Sequence, residues 1–116
     1  LQENAWTPPA LHVDVDGTKG RALVASTHVS FIESHFASRR RERAASPDGV
    51  SVPLMVLTPR EMAPGENLPA ILALHPNGDG QFFDYWSPFF DYLAASGYVV
   101  VMVDQRGSSG YGRAFR

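Results

Sequence analysis

Two continuous apolar runs dominate the second half of the chain, and each ends in a polar, glycine-rich segment. Residues 69–74 lead into residues 75–80, and residues 98–103 lead into residues 106–112. Apolar runs without alternation predict strands that are covered on both faces, as in a parallel sheet flanked by helices. The pattern therefore predicts central strands of an open α/β sheet, in which ligands bind outside the carboxyl ends of the strands.

The segment between the two runs has the pattern of a helix. Ser87 can serve as the N-cap, Pro88 suits the first helical position, and Gly97 suits the end. Apolar side chains recur at helical spacing between these limits, at Phe89, Phe90, Leu93 and Ala94. The order strand, loop, helix, strand predicts a right-handed βαβ crossover.

The first third of the chain predicts a β-hairpin. Residues 11–15 alternate apolar and polar positions, Asp16-Gly17 is a tight-turn dipeptide, and residues 21–24 can return as the partner strand. The spelling around the turn resembles a calcium loop. Lys19 stands where the invariant glycine of such a loop belongs, however, so the pattern favours a plain turn.

Two further strands are predicted before the first apolar run. The charged residues 39–45 indicate an exposed edge strand, and residues 46–49, Ser-Pro-Asp-Gly, indicate a turn. Residues 50–57 form a β-branched run interrupted by Pro53. Because proline cannot donate to a strand ladder, this second strand is expected at an edge or a bulge.

The composition of the chain argues against several classes of function. The 116 residues carry a formal net charge of −2, and the arginine cluster at residues 39–43 contains no aromatic residue to stack on bases, so no nucleic-acid partner is expected. There is no cysteine and no apolar run of membrane-spanning length. No metal and no cofactor is expected, and the sequence sets neither the oligomeric state nor the compartment.

Neither glycine-rich segment fits a nucleotide-binding motif. A Walker-type phosphate loop needs a lysine before its final serine or threonine, and neither segment supplies one. Gly107, Gly110 and Gly112 have the dinucleotide spacing in reverse order.

The adjacent serines also fail the pattern of a nucleophile elbow, Gly-x-Ser-x-Gly. An elbow centred on Ser108 requires glycine at position 106, which is occupied by Arg106. An elbow centred on Ser109 requires glycine at position 111, which is occupied by Tyr111. Both serines are therefore predicted to be turn residues.

The first polar segment suits another chemical role. It begins His75-Pro76-Asn77-Gly78, directly after a predicted strand. A backbone N–H in such a loop can donate to the oxyanion of a tetrahedral intermediate in acyl transfer. Because Pro76 has no N–H, the donor would be the amide of Asn77 or Gly78.

Four stretches occur in a specific order between Ser46 and Arg116: residues 46–49, Trp86, residues 92–98 (Tyr-Leu-Ala-Ala-Ser-Gly-Tyr) and residues 106–115 (Arg-Gly-Ser-Ser-Gly-Tyr-Gly-Arg-Ala-Phe). This order resembles the prolyl oligopeptidase family of serine peptidases, which includes acylaminoacyl peptidases and dipeptidyl peptidase IV. Members of this family have Ser-Pro-Asp-Gly, a His-Gly-Gly-Pro loop, a tryptophan-containing segment and a late Arg-Gly-Ser turn.

The resemblance implies two domains and a partial catalytic machinery. Residues 1–37 would be the end of an accessory β-domain similar to a β-propeller, with a linker, and residues 38–116 the N-terminal part of an α/β-hydrolase domain. The serine, aspartate and histidine of the triad would follow Arg116 in chain order, so His12, His28, His35 and His75 are not triad candidates, and the chain alone is expected to be inactive.

The resemblance also assigns residues to the site. His75, Asn77 and Gly78 would form the oxyanion-hole loop, with Asn77 in the place of the second family glycine. A supporting turn would contain Arg106, Gly107 and Tyr111, with Arg106 held by carboxylate or carbonyl groups rather than by substrate. A peptide would be the substrate; an esterase of the same fold, or a non-catalytic binding module, is the alternative.

Overall fold

The computed structural model describes residues 10–14, 21–26, 37–82 and 86–116. Its strands form a two-stranded sheet and a four-stranded sheet. The smaller sheet contains β1 (Ala10–Asp14) and β2 (Arg21–Ser26). The larger sheet contains β3 (Ser38–Ala45), β4 (Ser51–Thr58), β5 (Ala70–Leu74) and β6 (Val99–Val103). Helix α1 (Pro88–Ala95) joins β5 to β6, and a short 3-10 helix spans Arg113–Phe115.

The larger sheet is mixed and has the order β3-β4-β6-β5. β4 is antiparallel to both of its neighbours, whereas β5 and β6 are parallel and connected through α1. The predicted α/β class is therefore confirmed. β5 lies at one edge of the described sheet, so the expectation that it is a central strand is not met within the described residues.

The antiparallel pairing of β1 with β2 confirms the predicted hairpin strands. Residues 15–20, which include the turn and most of the calcium-like spelling, lie outside the described residues. Among the residues described, no helix is long and apolar enough to cross a membrane.

The hydrophobic core lies between α1 and one face of the larger sheet. Leu57 on β4 and Val100 on β6 are fully buried, and they pair across the two strands. Ala94 of α1 and Met102 of β6 complete this cluster. The sequence predicted that both faces of this sheet are covered. Within the described residues only the face that packs on α1 is covered, since Leu72 of β5 is 65% exposed.

Pro53 does not place β4 at an edge, and that prediction is wrong. β4 lies between β3 and β6, and Pro53 pairs with Arg43 of β3. The carbonyl of Pro53 accepts a hydrogen bond from the amide of Asp104 at 3.2 Å. In an antiparallel strand the nitrogen and carbonyl of one residue point to the same side, so the missing N–H faces the end of β6 rather than the β3 ladder. An internal strand tolerates proline at this position.

The predicted turn at residues 46–49 and the predicted end of the helix occur where glycine allows them. Gly49 has a φ of +81°, and its amide donates to the carbonyl of Ser46 at 2.8 Å between β3 and β4. Gly97 has a φ of +92° and donates to the carbonyl of Ala94 at 3.0 Å, which ends α1. Ser87 is the N-cap residue, but its side chain makes no capping hydrogen bond.

Arg39 departs from the exposed charge pattern of its strand. Its side chain is only 3% exposed and forms an ion pair with Asp91 in the first turn of α1, which is 6% exposed. The other carboxylate oxygen of Asp91 accepts a hydrogen bond from the Ala37 amide at 3.1 Å. Burial raises the pKa of the Asp91 carboxyl, and this outweighs the opposing effect of the Arg39 charge. The pair fixes the helix to the first strand of the sheet.

We expect Asp91→Asn to destabilise the fold strongly. The amide can still accept from Ala37, but the buried Arg39 guanidinium loses its facing carboxylate, and such losses cost about 3–5 kcal/mol. Chemical denaturation of the variant measures the change in the free energy of unfolding.

A matched surface pair and a double variant serve as controls. Glu42→Gln breaks the exposed ion pair with Arg40, and it should change stability by less than about 0.5 kcal/mol. Arg39→Met combined with Asp91→Asn should cost less than the two single changes added together. Strict additivity would show that the two charges do not interact.

Candidate functional site

The site is built where β5 and β6 end side by side. Leu74 pairs with Val103 in the parallel register, so His75 and Asp104 are the first residues beyond each strand. Residues 75–80 form one loop and residues 104–112 form the facing turn; we call them the His75 loop and the Arg106 turn. Both predicted glycine-rich segments therefore meet at the same edge of the sheet, as parallel strands require.

His75, the first residue of the loop, has a side chain buried against the turn, and only 8% of the residue's surface is exposed. Its Nε2 atom lies 2.8 Å from Ser108 Oγ, and its Nδ1 atom lies 2.6 Å from the carbonyl oxygen of Asn77. Gln105 donates from Nε2 to the His75 carbonyl at 2.9 Å. These contacts join the backbone of the loop to the turn.

Ser108 is a structural residue of this junction. It is fully buried, and its hydroxyl donates to the carbonyl of Gln105 at 2.6 Å while facing His75. A nucleophilic serine must be open to substrate, so this burial agrees with its failure to fit the elbow pattern. The sequence did not indicate the bond to His75, because the partners are 33 residues apart.

Gly107 permits the closest approach between turn and loop. Its φ is +99°, and a Cβ atom added there would lie 2.7 Å from the carbonyl oxygen of Gly78. Contacts shorter than 3.0 Å are essentially never made by real Cβ atoms. Any larger side chain would therefore push the loop and the turn apart.

Asn77 and Gly78 lie at the exposed tip of the loop. No described residue accepts a hydrogen bond from either of their amides. The Asn77 carbonyl, in contrast, accepts from the Gly80 amide at 3.1 Å as well as facing His75. Neither residue has a positive φ, so the loop does not use the left-handed conformation that asparagine and glycine tolerate. The loop thus combines held carbonyls with unoccupied N–H groups.

Asp104 is a buried carboxylate that sequence reasoning did not single out. It is 6% exposed and accepts hydrogen bonds from the Phe82 amide at 2.7 Å and from the Tyr111 hydroxyl. Burial and the adjacent Asp104 carboxylate raise the pKa of Tyr111 to about 12. Its position directly after a buried strand was the available signal, since polar residues at the carboxyl ends of parallel strands face the binding crevice.

Arg106 pairs with Asp48, in the turn between β3 and β4. Both side chains are about half exposed, at 44% and 53%. The pKa of Asp48 is lowered mainly by hydrogen bonds from the Val50 amide and the Ser46 hydroxyl, and to a smaller extent by Arg106. Exposed pairs of this kind add little to stability.

A cavity of about 520 Å³ opens beside these loops. β3 and β4 contribute Arg41 and Met55 to its wall, and the Arg106 turn contributes Asp104 and Tyr111. Across the ranges described, no group of three or more His, Cys, Asp or Glu residues could hold a metal ion.

Gly107→Ala should destabilise the fold more than a matched glycine substitution. Gly49→Ala is the control, because Gly49 also has a positive φ but its added Cβ would meet nothing within 4 Å. The overlap with Gly78 should add about 1–3 kcal/mol to the backbone strain that both variants share. Thermal or chemical denaturation measures both losses; equal losses would contradict the close approach.

Tyr111 should ionise near pH 12 rather than near pH 10. Because the folded pKa is the higher one, the stability linked to its neutral form is complete below about pH 10 and is lost towards pH 12. Absorbance titration should show a late phase that Tyr111→Phe removes and Asp104→Asn moves to lower pH. The assignment is wrong if every tyrosine ionises near pH 10 while circular dichroism still shows folded protein.

Comparisons by family model, by sequence and by structure all match this chain to peptidases. The family model of the X-Pro dipeptidyl-peptidases (S15 family) matches residues 48–112. An uncharacterized peptidase of Bacillus subtilis (strain 168), YuxL, is 35% identical over 86 residues, which are 73% of this chain and 13% of the relative.

Two solved peptidases have the same fold. An acylaminoacyl peptidase of Pyrococcus horikoshii matches with a TM-score of 0.70 and 25% identity over 97% of this chain and 18% of its own. A puromycin-hydrolyzing peptidase of Mycobacterium tuberculosis matches with a TM-score of 0.80 and 24% identity over 98% of this chain and 18% of its own. The chain thus spans less than a fifth of these relatives. It belongs to the X-Pro dipeptidyl-peptidase (S15) family, and its resemblance to the prolyl oligopeptidase family of serine peptidases is confirmed.

Proposed function

We propose that the chain is part of the catalytic domain of a serine peptidase that hydrolyses short peptides through an acyl-enzyme. In this proposal the His75 loop supplies one donor of the oxyanion hole, and β5 and β6 support it. The triad follows Arg116 in the whole protein, so the chain alone has no hydrolytic activity.

One observation carries the proposal: Asn77 and Gly78 are exposed residues whose amides donate to no described residue, on a loop bonded to the Arg106 turn. An oxyanion hole needs N–H groups that stay unoccupied and fixed in direction until charge develops on the substrate oxygen. The family match supports the same chemistry, since the related proteins are peptidases.

The domain division at residue 38 also belongs to this proposal. In it, residues 1–37 end an accessory domain similar to a β-propeller, and residues 38–116 begin the hydrolase domain. The separation of β1 and β2 into a sheet of their own supports the division, as does the start of β3 at Ser38. The family model begins shortly afterwards, at residue 48.

Substrate choice separates the peptidase from an esterase and from a binding module. The full-length protein containing this chain should be assayed with short peptidyl amides and with simple aryl esters. We expect turnover of both, since an acyl-enzyme forms from either substrate. Hydrolysis of esters alone would favour the esterase, and hydrolysis of neither would favour the binding module.

Four variants of the same full-length protein test the donor. Asn77→Pro and Gly78→Pro each remove one N–H, whereas Asn77→Ala and Gly78→Ala keep it. A Cβ added at Gly78 meets nothing within 4 Å, so its alanine variant is a matched control. The proline variant that removes the true donor should lose about 10²–10³-fold in kcat.

The alanine variants should retain the wild-type kcat, and circular dichroism should show all four variants folded. Loss in one proline variant alone would identify which amide donates. Wild-type kcat in both proline variants would refute the assignment of the oxyanion donor to this loop.

A further inference from the structure

We propose that His75 and Ser108 are positioning residues for the oxyanion donor, an inference that rests on the proposed function. The imidazole bridges the two segments, with Nε2 at 2.8 Å from Ser108 Oγ and Nδ1 at 2.6 Å from the Asn77 carbonyl. His75 is 8% exposed and Ser108 is fully buried, so water competes little for these bonds. The ring therefore transmits the position of the Arg106 turn to the tip of the His75 loop.

Both edges of the His75 ring are held. The Asn77 carbonyl can only accept, so Nδ1 donates in that bond. The Ser108 hydroxyl lies 2.8 Å from Nε2 and 2.6 Å from the Gln105 carbonyl oxygen. The amide nitrogen of Gln105 lies 3.3 Å from Nδ1, and Oδ1 of Asp104 lies 4.0 Å from Nε2.

The loop is held on both sides of the Asn77 amide. On one side, Gln105 donates to the His75 carbonyl at 2.9 Å, and the ring of Pro76 fixes its own φ. On the other side, the Asn77 carbonyl faces His75 Nδ1 and accepts from the Gly80 amide at 3.1 Å. The Asn77 N–H therefore lies between two held peptide groups. Its direction is set before substrate binds, which is the condition for effective stabilisation of an oxyanion.

Kinetics of two serine variants test this role in the full-length protein that contains the chain. Ser108→Ala removes the hydroxyl that faces Nε2 of His75, so the ring and the loop can shift. A displacement of about 1 Å costs about 10²-fold in rate, and we expect that loss in kcat for a short peptidyl amide, with KM near the wild-type value. Affinity for a peptide aldehyde, which binds as an oxyanion adduct, should fall in parallel. Ser109→Ala, in the same turn, should behave as the wild type.

A second measurement needs no activity. In the wild-type protein, NMR should show a slowly exchanging hydrogen on Nδ1 of His75, bonded to the Asn77 carbonyl. In Ser108→Ala the amide resonances of Asn77 and Gly78 should shift while circular dichroism stays unchanged.

Three results would overturn the inference: wild-type kcat in Ser108→Ala, an equal loss in Ser109→Ala, or unchanged amide resonances of Asn77 and Gly78 in Ser108→Ala. The failure of the proposed function is a separate outcome. If the wild-type protein hydrolyses neither amides nor esters, that function fails, and the NMR measurement alone decides whether the bridge exists.

Discussion

The parallel pairing of β5 with β6 is the constraint on which the rest of the site depends. Pairing of Leu74 with Val103 places the two strand ends at the same level, so the loop after one strand must face the turn after the other. The parallel arrangement in turn requires a crossover, which α1 supplies. α1 is held by the core beneath it and by the buried pair between Asp91 and Arg39 of the edge strand β3. The pair thus helps to hold in place the crossover that connects β5 to β6.

Most of the fold could be predicted from local patterns. The apolar run of β6, the glycine that ends α1 and the Ser-Pro-Asp-Gly turn each act over a few residues, and their positions along the chain are sufficient to locate them. Pro53 and Arg39 were placed wrongly for one shared reason: each was judged by its type alone. Whether a missing N–H matters depends on which neighbour it faces, and whether an arginine is exposed depends on a carboxylate 52 residues away.

In the candidate site, too, local features could be predicted from the sequence and tertiary contacts could not. The His75 loop follows from a motif and from its position after a strand, so sequence is enough to propose it. What holds the loop is tertiary: the His75–Ser108 bond, the reach of Gln105 to a carbonyl and the close approach of Gly107 to Gly78 all join residues about 30 positions apart. No periodicity records such contacts. These contacts give a physical reason why the loop can keep its shape although Pro76 and Asn77 stand in it.

The open side of β5 has a consequence for how the chain behaves in solution. Among the described strands only β6 pairs with β5, and Leu72 and Leu74 are 65% and 56% exposed beside that free edge. An unprotected edge with apolar side chains is a template on which another strand can add. A net charge of −2 provides little repulsion between copies. High concentrations, as spectroscopy requires, should therefore favour self-association of the chain through this edge.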